Sequence, residues 1–378
     1  MDFEPSDTQR LVQQTARDIA TKTITPQAAA IDREERFPRE VMQQLADLGL
    51  LAVNVPEELG GAGAGTVSYA LAMIEVARAC ASCAVTMAVT NMVGEVIAKF
   101  GTPAQAEKYC RGLADGSLVA GAFALSEPEA GSDPGSMRTA ARKVDGGWVI
   151  DGQKQWITSG AHAGVMVVWA RTGGAGTAGI SCFLVEGGTP GLVIGKHEDK
   201  MGLRGSNTVG LTFDGCRVPD GALLGELGGG FRIAMMALDG GRIGISAQAI
   251  GVASAALDEA VAYAKDRKQF GKPIADFQAM QWKIADMRTQ LDAARLLCFR
   301  AATMKERGVP FTREASMSKV FCSEAAVRIC NEAVQIHGGY GYVREFAAER
   351  HLRDVRVTTI YEGTSEIQRT VISRAVLR

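Results

Sequence analysis

The stretch Val144-Asp145-Gly146-Gly147-Trp148-Val149-Ile150 places a β-hairpin in the middle of a chain that otherwise reads as helix. Asp-Gly between two apolar runs signals a tight turn, because glycine reaches the positive φ such a turn requires. Further short strands follow at 155–158, 165–170, 180–185, 192–194 and 209–213, separated by glycine-rich breaks. That spacing predicts a compact β-barrel or sandwich over residues 121–231.

Helical patterns lie on both sides. Upstream, Leu11, Ala16, Ile19 and Ala20 open one helix; Val41, Leu45, Leu48 and Leu50 mark a second after Phe37-Pro38. A loop at 54–65 leads to the low-charge run 67–100, which predicts a buried helix pair broken near Ala81-Ser82. Downstream, residues 231–268 carry Ile233, Met236, Ile243, Ala247, Ile250, Leu257, Val261 and Ala264 on one stripe, ~57 Å at the helical rise. Helices over 277–305 and 312–335 follow, then a glycine-rich break at 338–341 and a last helix after Gly363. The fold class is therefore α+β: an N-terminal helical domain (1–120), a middle β-barrel or sandwich domain (121–231) and a C-terminal four-helix bundle (232–378).

The totals exclude several functions. The chain has 378 residues, 47% hydrophobic and 22% charged, with a formal net charge of −1, so it has no general electrostatic pull toward nucleic acid or anionic membrane. No uncharged apolar run reaches ~18 residues, so no membrane span is expected. The start Met1-Asp2-Phe3-Glu4-Pro5 has neither the basic nor the apolar region of a targeting segment, and a cytoplasmic location is the expectation. Eight cysteines form no framework: Cys80 and Cys83 lie in a helical run without a preceding strand, and Cys322 and Cys330 share a helical pattern, so both pairs read as core residues in a reducing compartment. His162, His197, His337 and His351 have no metal-ligand spacing, and no metal is expected. The G-x-G-x-x-G match at 174–179 leads into a strand, not a helix, and reads as a hairpin loop.

Near the C-terminus, Thr359-Ile360-Tyr361-Glu362-Gly363-Thr364-Ser365-Glu366-Ile367-Gln368-Arg369 sets a carboxylate between apolar residues and a glycine. Apolar neighbours disfavour its charged form and raise its pKa, which makes it a usable base. Ser365 and Gln368 fit a capping box, so a helix starts at about Ser365. The alternative is a surface glutamate stabilised by a helix N-terminus.

Five collinear motifs carry a family resemblance. Phe123-Ala124-Leu125-Ser126-Glu127-Pro128-Glu129-Ala130-Gly131-Ser132-Asp133 opens the β segment, and Trp156-Ile157-Thr158 follows. Arg267-Lys268-Gln269-Phe270-Gly271 ends the long helix, and Gln335-Ile336-His337-Gly338-Gly339-Tyr340-Gly341 precedes Tyr361-Glu362-Gly363. Over essentially the whole chain this set resembles the acyl-CoA dehydrogenase family, its short-chain (butyryl-CoA) and branched-chain members most.

The resemblance implies an FAD enzyme that converts a saturated acyl-CoA to the trans-2-enoyl-CoA and passes electrons to an electron-transferring flavoprotein. It makes Glu362 the base that takes the α-proton, its backbone N–H one donor to the thioester carbonyl, and a ribityl hydroxyl of FAD the other. By resemblance Phe123, Leu125, Ser126, Gly131, Ser132, Trp156, Ile157 and Thr158 hold the flavin, and Ser132 also touches CoA. Arg267, Gln269, Phe270, Gln278, Gln335, Ile336, His337, Gly338 and Gly339 match positions that reach the FAD of a neighbouring subunit in a homotetramer. Thr364, Ser365 and Glu366 match a further FAD-contacting stretch at a helix N-terminus. Asp239, Arg242, Tyr361 and Gly363 match substrate contacts.

Several of these positions admit a plainer reading. Trp156 fits a core aromatic, Arg267 a helix C-terminal cation, and Gly240-Gly241 tight helix packing as well as an acyl pocket. Some relatives carry the base at the position of Gly241 and none at that of Glu362; this sequence does the reverse. Glu129 departs from the usual small residue in the flavin loop. Competing functions on the same fold are an acyl-CoA oxidase, a flavin monooxygenase, for which Glu362 has no use, and a nucleic-acid-binding flavoprotein, against which the near-neutral charge counts.

Overall fold

A computed structural model describes residues 4–377; the first three residues of the acidic start lie outside it. The N-terminal part comprises α1 (Asp7–Ile19), α2 (Ala28–Glu34), α3 (Arg39–Asp47), α4 (Gly65–Ala79), α5 (Ala81–Phe100) and α6 (Pro103–Ala114). Reciprocal capping boxes start α1 (Ser6 with Gln9) and α6 (Thr102 with Gln105, Pro103 following). The expected helix pair is α4 and α5, divided by the extended residue Cys80 one position before the expected break. By length and composition α5 could cross a membrane, yet 89% of its most apolar window is buried inside the protein. It is the central core helix of this part.

The middle part holds β1 (Gly121–Ala124), β2 (Ala140–Val144), β3 (Gly147–Thr158), β4 (Val165–Arg171), β5 (Ile180–Glu186), β6 (Leu192–His197), β7 (Thr208–Pro219) and β8 (Leu223–Leu224). They form one mixed sheet in the order β6-β7-β3-β2-β4-β5-β8, with β1 parallel to β4. Its two halves join at a single residue pair, Ala140 with Arg171. They close over a common core, with Trp148, Ile150, Val209 and Phe213 from one half and Met166, Val168, Phe183 and Val185 from the other. Asp145-Gly146 is the β2–β3 turn as expected, but the second strand does not stop at Ile150 and absorbs the separate strand expected at 155–158. The glycine loop at 174–179 joins antiparallel β4 and β5, as the hairpin reading requires.

The C-terminal part begins with the 37-residue α7 (Gly230–Asp266). A small hairpin, β9 (Lys268–Gln269) and β10 (Lys272–Pro273), follows, then α8 (Gln278–Glu306), α9 (Thr312–His337), α10 (Ala348–Val355) and α11 (Ser365–Val376). Helices α7, α8 and α9 pack on one another and α11 packs on α9. Helix α10 falls between the glycine-rich break at 338–341 and the last helix, where no element was expected. Its buried face includes His351 and Asp354, so no apolar stripe advertises it. It also ties the three parts together: Asp354 Oδ1 accepts from Leu203 N (2.7 Å), and Arg353 binds Asp32 at 3.0 and 2.8 Å and Met201 O at 3.3 Å. One apolar core runs through all three parts, including Met73, Trp169 and Ile250.

Candidate active site

Glu362 sits in a left-handed backbone conformation (φ 53), followed by Gly363 at φ 88. A left-handed glutamate is strained, and such strain persists where surrounding contacts impose it. Two donors impose it here. Lys319 Nζ donates to Gly363 O at 2.6 Å, and Gln368 Nε2 donates to Gly363 O at 2.9 Å and to Glu362 O at 3.2 Å. With Gln368 so engaged, the expected Ser365–Gln368 capping box does not form. Thr364 is the N-cap of α11, its side chain accepting from Ile367 N.

Glu362 Oε2 is buried without a protein hydrogen-bond partner. Burial pushes the carboxyl above its ordinary range, and the cations Lys319 and Arg242 only partly oppose this. The carboxylate faces α7 at a glycine: a Cβ built on Gly241 would stand 2.9 Å from Oε2 and 3.2 Å from Met92 Sδ. Arg242 lies in the same wall, bound to Asp239 (2.5 Å) and Ser316 Oγ (3.3 Å), with its Nε also unpartnered. Tyr361 OH donates to Gln248 Oε1, and Gln248 donates to Ala81 O (3.0 Å), which fixes the ring beside the carboxylate. The structure thus brings Asp239, Arg242, Tyr361, Glu362 and Gly363 together.

The second group lies on the sheet. Between Lys154 and Ile157, two residues of β3, Gln155 and Trp156, oppose the single Gly210 of β7, a bulge. It puts Trp156 at φ 64 and leaves the ring 62% exposed, so Trp156 is not a core aromatic. Ile157, beyond the bulge, points its side chain into the sheet core at 1% exposure, as strand alternation requires, which leaves its backbone as the part that could face a ligand. Leu125 is likewise buried at 5%. Gln155 N donates to Ser126 O (2.9 Å), joining the 123–133 loop to the bulge, and Thr158 and Ser126 remain half-buried while Gly131 and Ser132 are exposed. Phe123 tilts onto Trp169 at 4.3 Å. Glu129 points outward, 2.7 Å from Arg138.

A third group lines a cavity of about 450 Å³ made by Tyr263, Arg267, Gln269, Ile274, Ile336–Tyr340 and Val343. Arg267 lies over the Tyr340 ring (5.6 Å), and His337 Nδ1 meets Ala333 O at 2.7 Å. Gly338 and Gly339 have no heavy atom within 4 Å of an ideal Cβ, so the backbone there is open to close approach. Gln278, Gln335 and Phe270 do not line this cavity. Phe270 is 93% exposed and meets Phe277 edge-on, at the tip of a hairpin whose turn turns it outward. Arg267, the C-cap of α7, is 26 residues beyond Gly241 along that one continuous helix, ~39 Å at the helical rise, so this cavity and Glu362 of the same chain are far apart.

Three family models match, described as acyl-CoA dehydrogenase N-terminal domain (residues 6–117), middle domain (122–216) and C-terminal domain (228–377). The chain belongs to the acyl-CoA dehydrogenase family. The short-chain specific acyl-CoA dehydrogenase, mitochondrial, of Bos taurus is 50% identical over 99% of this chain and 91% of that protein. Butyryl-CoA dehydrogenase from Megasphaera elsdenii superposes with a TM-score of 0.98 at 43% identity, covering 100% of both chains. A chain from the structure "Electron transferring flavoprotein of Acidaminococcus fermentans: Towards a mechanism of flavin-based electron bifurcation" gives 0.99 at 41% identity, again over 100% of both.

Within this acyl-CoA dehydrogenase fold, the sequence reading missed the residues that hold the motifs. Lys154 is fully buried, and its Nζ meets Glu127 Oε1 (2.8 Å) and Leu125 O (3.1 Å). Glu127 in turn accepts from Arg138 N (2.6 Å) and Thr139 N (3.0 Å), so one buried ion pair sets the 125–139 loop. Lys319 was missed in the same way, and Gln368 was read only as half of a capping box. A signal existed for Lys319: it lies on the stripe Ala315, Cys322, Ala326, Ile329, all buried, at spacings of four, three, four and three.

Proposed function

We propose that this protein is an FAD-dependent acyl-CoA dehydrogenase acting on short straight or branched acyl-CoA thioesters, with an electron-transferring flavoprotein as acceptor. The observation that carries this reading is the Glu362 carboxylate, enclosed, short of a partner and aimed at the gap above Gly241. A carboxylate with no protein hydrogen-bond donor at Oε2 has a free lone pair for a substrate proton.

The residues present fit FAD. Trp156, Thr158, Ser126, Gly131 and Ser132 offer an outward ring, hydroxyls and open backbone at one edge of the sheet. Arg267, Gln269, His337, Gly338 and Gly339 offer a guanidinium and open backbone in a cavity suited to a dinucleotide's anionic and ribosyl parts. Buried Ser365 Oγ and Gln368 Oε1, at the start of α11, have no protein partner and add unsatisfied polar atoms. Bound FAD supplies the acceptor for the β-hydride. Glu362 removes the α-proton, and the left-handed turn presents the Glu362 N–H as a donor for the thioester oxygen. Asp239, Arg242 and Tyr361 wall the cleft. The distance between the Arg267 cavity and Glu362 supports an FAD shared between subunits, which fits the expected homotetramer. A cytoplasmic setting and the three-domain division near residues 120 and 231 belong to the same reading.

Purified protein is expected to be yellow, and butyryl- or isobutyryl-CoA to bleach the flavin anaerobically. Glu362→Gln is expected to retain FAD and lose bleaching by about three orders of magnitude or more. A Gln variant that bleaches at the normal rate removes Glu362 from the reaction. Rapid reoxidation of the bleached flavin by oxygen would mark an oxidase instead.

A further inference from the structure

Lys319, on α9, has 0% exposure, the rarest environment for a lysine. A buried ammonium is costly unless its donors and charge are answered. Its donor is answered by Gly363 O at 2.6 Å, the carbonyl directly after the candidate base. Its charge is answered by Glu362, the foremost of the anions acting on it, ahead of Glu366 and Glu324. Glu366 is exposed, and Glu324 is already paired with Arg369 at 2.7 Å.

The charged and titratable groups around Glu362 come from each packed element. They are Lys319 from α9, Arg242 from α7, Tyr69 from α4 and Tyr361 from its own segment, with Glu95 of α5 paired to Lys305 and acting on Tyr69. Of the two cations, Arg242 is neutralised at 2.5 Å by Asp239 on its own helix. Lys319 has no such neighbour and is the stronger influence on the carboxylate.

We propose that Lys319 is a positioning residue of this site: it pins the Glu362-Gly363 turn through the Gly363 carbonyl and is the buried cation that keeps the Glu362 carboxylate ionised. This rests on reading Glu362 as the base. Burial pulls Lys319 itself down to about 8, so it is charged at neutral pH and loses its charge as pH rises past that point. Gln368 shares the pinning, not the charge.

The test follows the protonated carboxyl of Glu362 by infrared difference spectroscopy against pH on FAD-loaded protein, the band being assigned by its loss in Glu362→Gln. Lys319→Gln keeps a donor for Gly363 O but removes the charge; the titration midpoint is expected to rise by about one unit, tenfold less carboxylate at a pH below it. The pH profile of anaerobic flavin reduction should rise with it, while binding of an unreactive thioester analogue stays within about threefold. Gln368→Leu removes the other donor and no charge, so the rate should fall with the midpoint in place. An unmoved midpoint in Lys319→Gln, or an equal shift in Gln368→Leu, overturns the proposal. Should Lys319→Gln fail to fold, Gln368→Leu still decides: a shifted midpoint with Lys319 intact sinks the assignment. The infrared arm uses no acyl-CoA, so failure of the functional reading shows separately, as a flavin that no acyl-CoA bleaches.

Discussion

At Gly241 one hydrogen atom in place of a methyl leaves room for the carboxylate of Glu362. Two glycines inside a helix sacrifice roughly 1 kcal/mol each against alanine, and the contact at Gly241 gives one of them a reason. The same contact explains how relatives could place the base at this position: a side chain from Gly241 and one from Glu362 reach one spot. Gly241→Ala would put its Cβ against two movable ends, Oε2 and Met92 Sδ, and not against backbone. The variant is therefore expected to fold with equal or greater resistance to urea. Flavin reduction by butyryl-CoA should nevertheless slow by about tenfold or more, because the carboxylate is displaced. Stopped-flow absorbance beside a urea titration separates the two effects. Normal reduction would mean that the glycine serves helix packing alone.

Strand β3 shows how an element can be legible in outline and hidden in detail. Its hairpin turn was readable from Asp145-Gly146, and its length was not, because Gly152 and the bulge break the alternation that marks a strand. Trp156 could not be assigned to core or surface without the bulge, whose only sequence trace is an interrupted alternation. Lys154 reads as a solvated residue by type, yet it shares the parity of Trp148 and Ile150 and points inward. The Thr364 cap displaced the expected Ser365 cap because Gln368 donates instead to the carbonyls of the preceding Glu362-Gly363 turn. The long helices, by contrast, announced themselves through apolar stripes within a few residues of their ends. Breaking the Lys154–Glu127 pair tests the element: Lys154→Met leaves a buried, uncompensated carboxylate and should cost about 3–5 kcal/mol in urea unfolding. Because Glu127 sets the 125–139 loop, retained FAD should fall too, measured by flavin absorbance after gel filtration. Full stability would place the loop's order elsewhere.

At the scale of the molecule, two halves of a candidate cofactor site lie on one chain but far apart on it. Arg267, Gln269 and the 336–340 turn face a cavity at the far end of α7 from Glu362. The bundle surface nearby carries Phe270 (93% exposed), Tyr342 (86%) and Trp282 (64%), aromatic area that a soluble monomer rarely leaves open. Both facts are satisfied if each cavity serves a neighbouring chain. Complementation tests this directly. Arg267→Ala is expected to be inactive for want of FAD, and Glu362→Gln for want of its base. When the two are co-refolded with FAD, a site built from Glu362 of one variant and Arg267 of the other is complete. Random mixing should then restore about a quarter of wild-type activity, since half the chains carry the base and half of those meet an intact neighbour. If Arg267 served its own chain's flavin, every mixed site would lack one group or the other, and co-refolding would recover nothing.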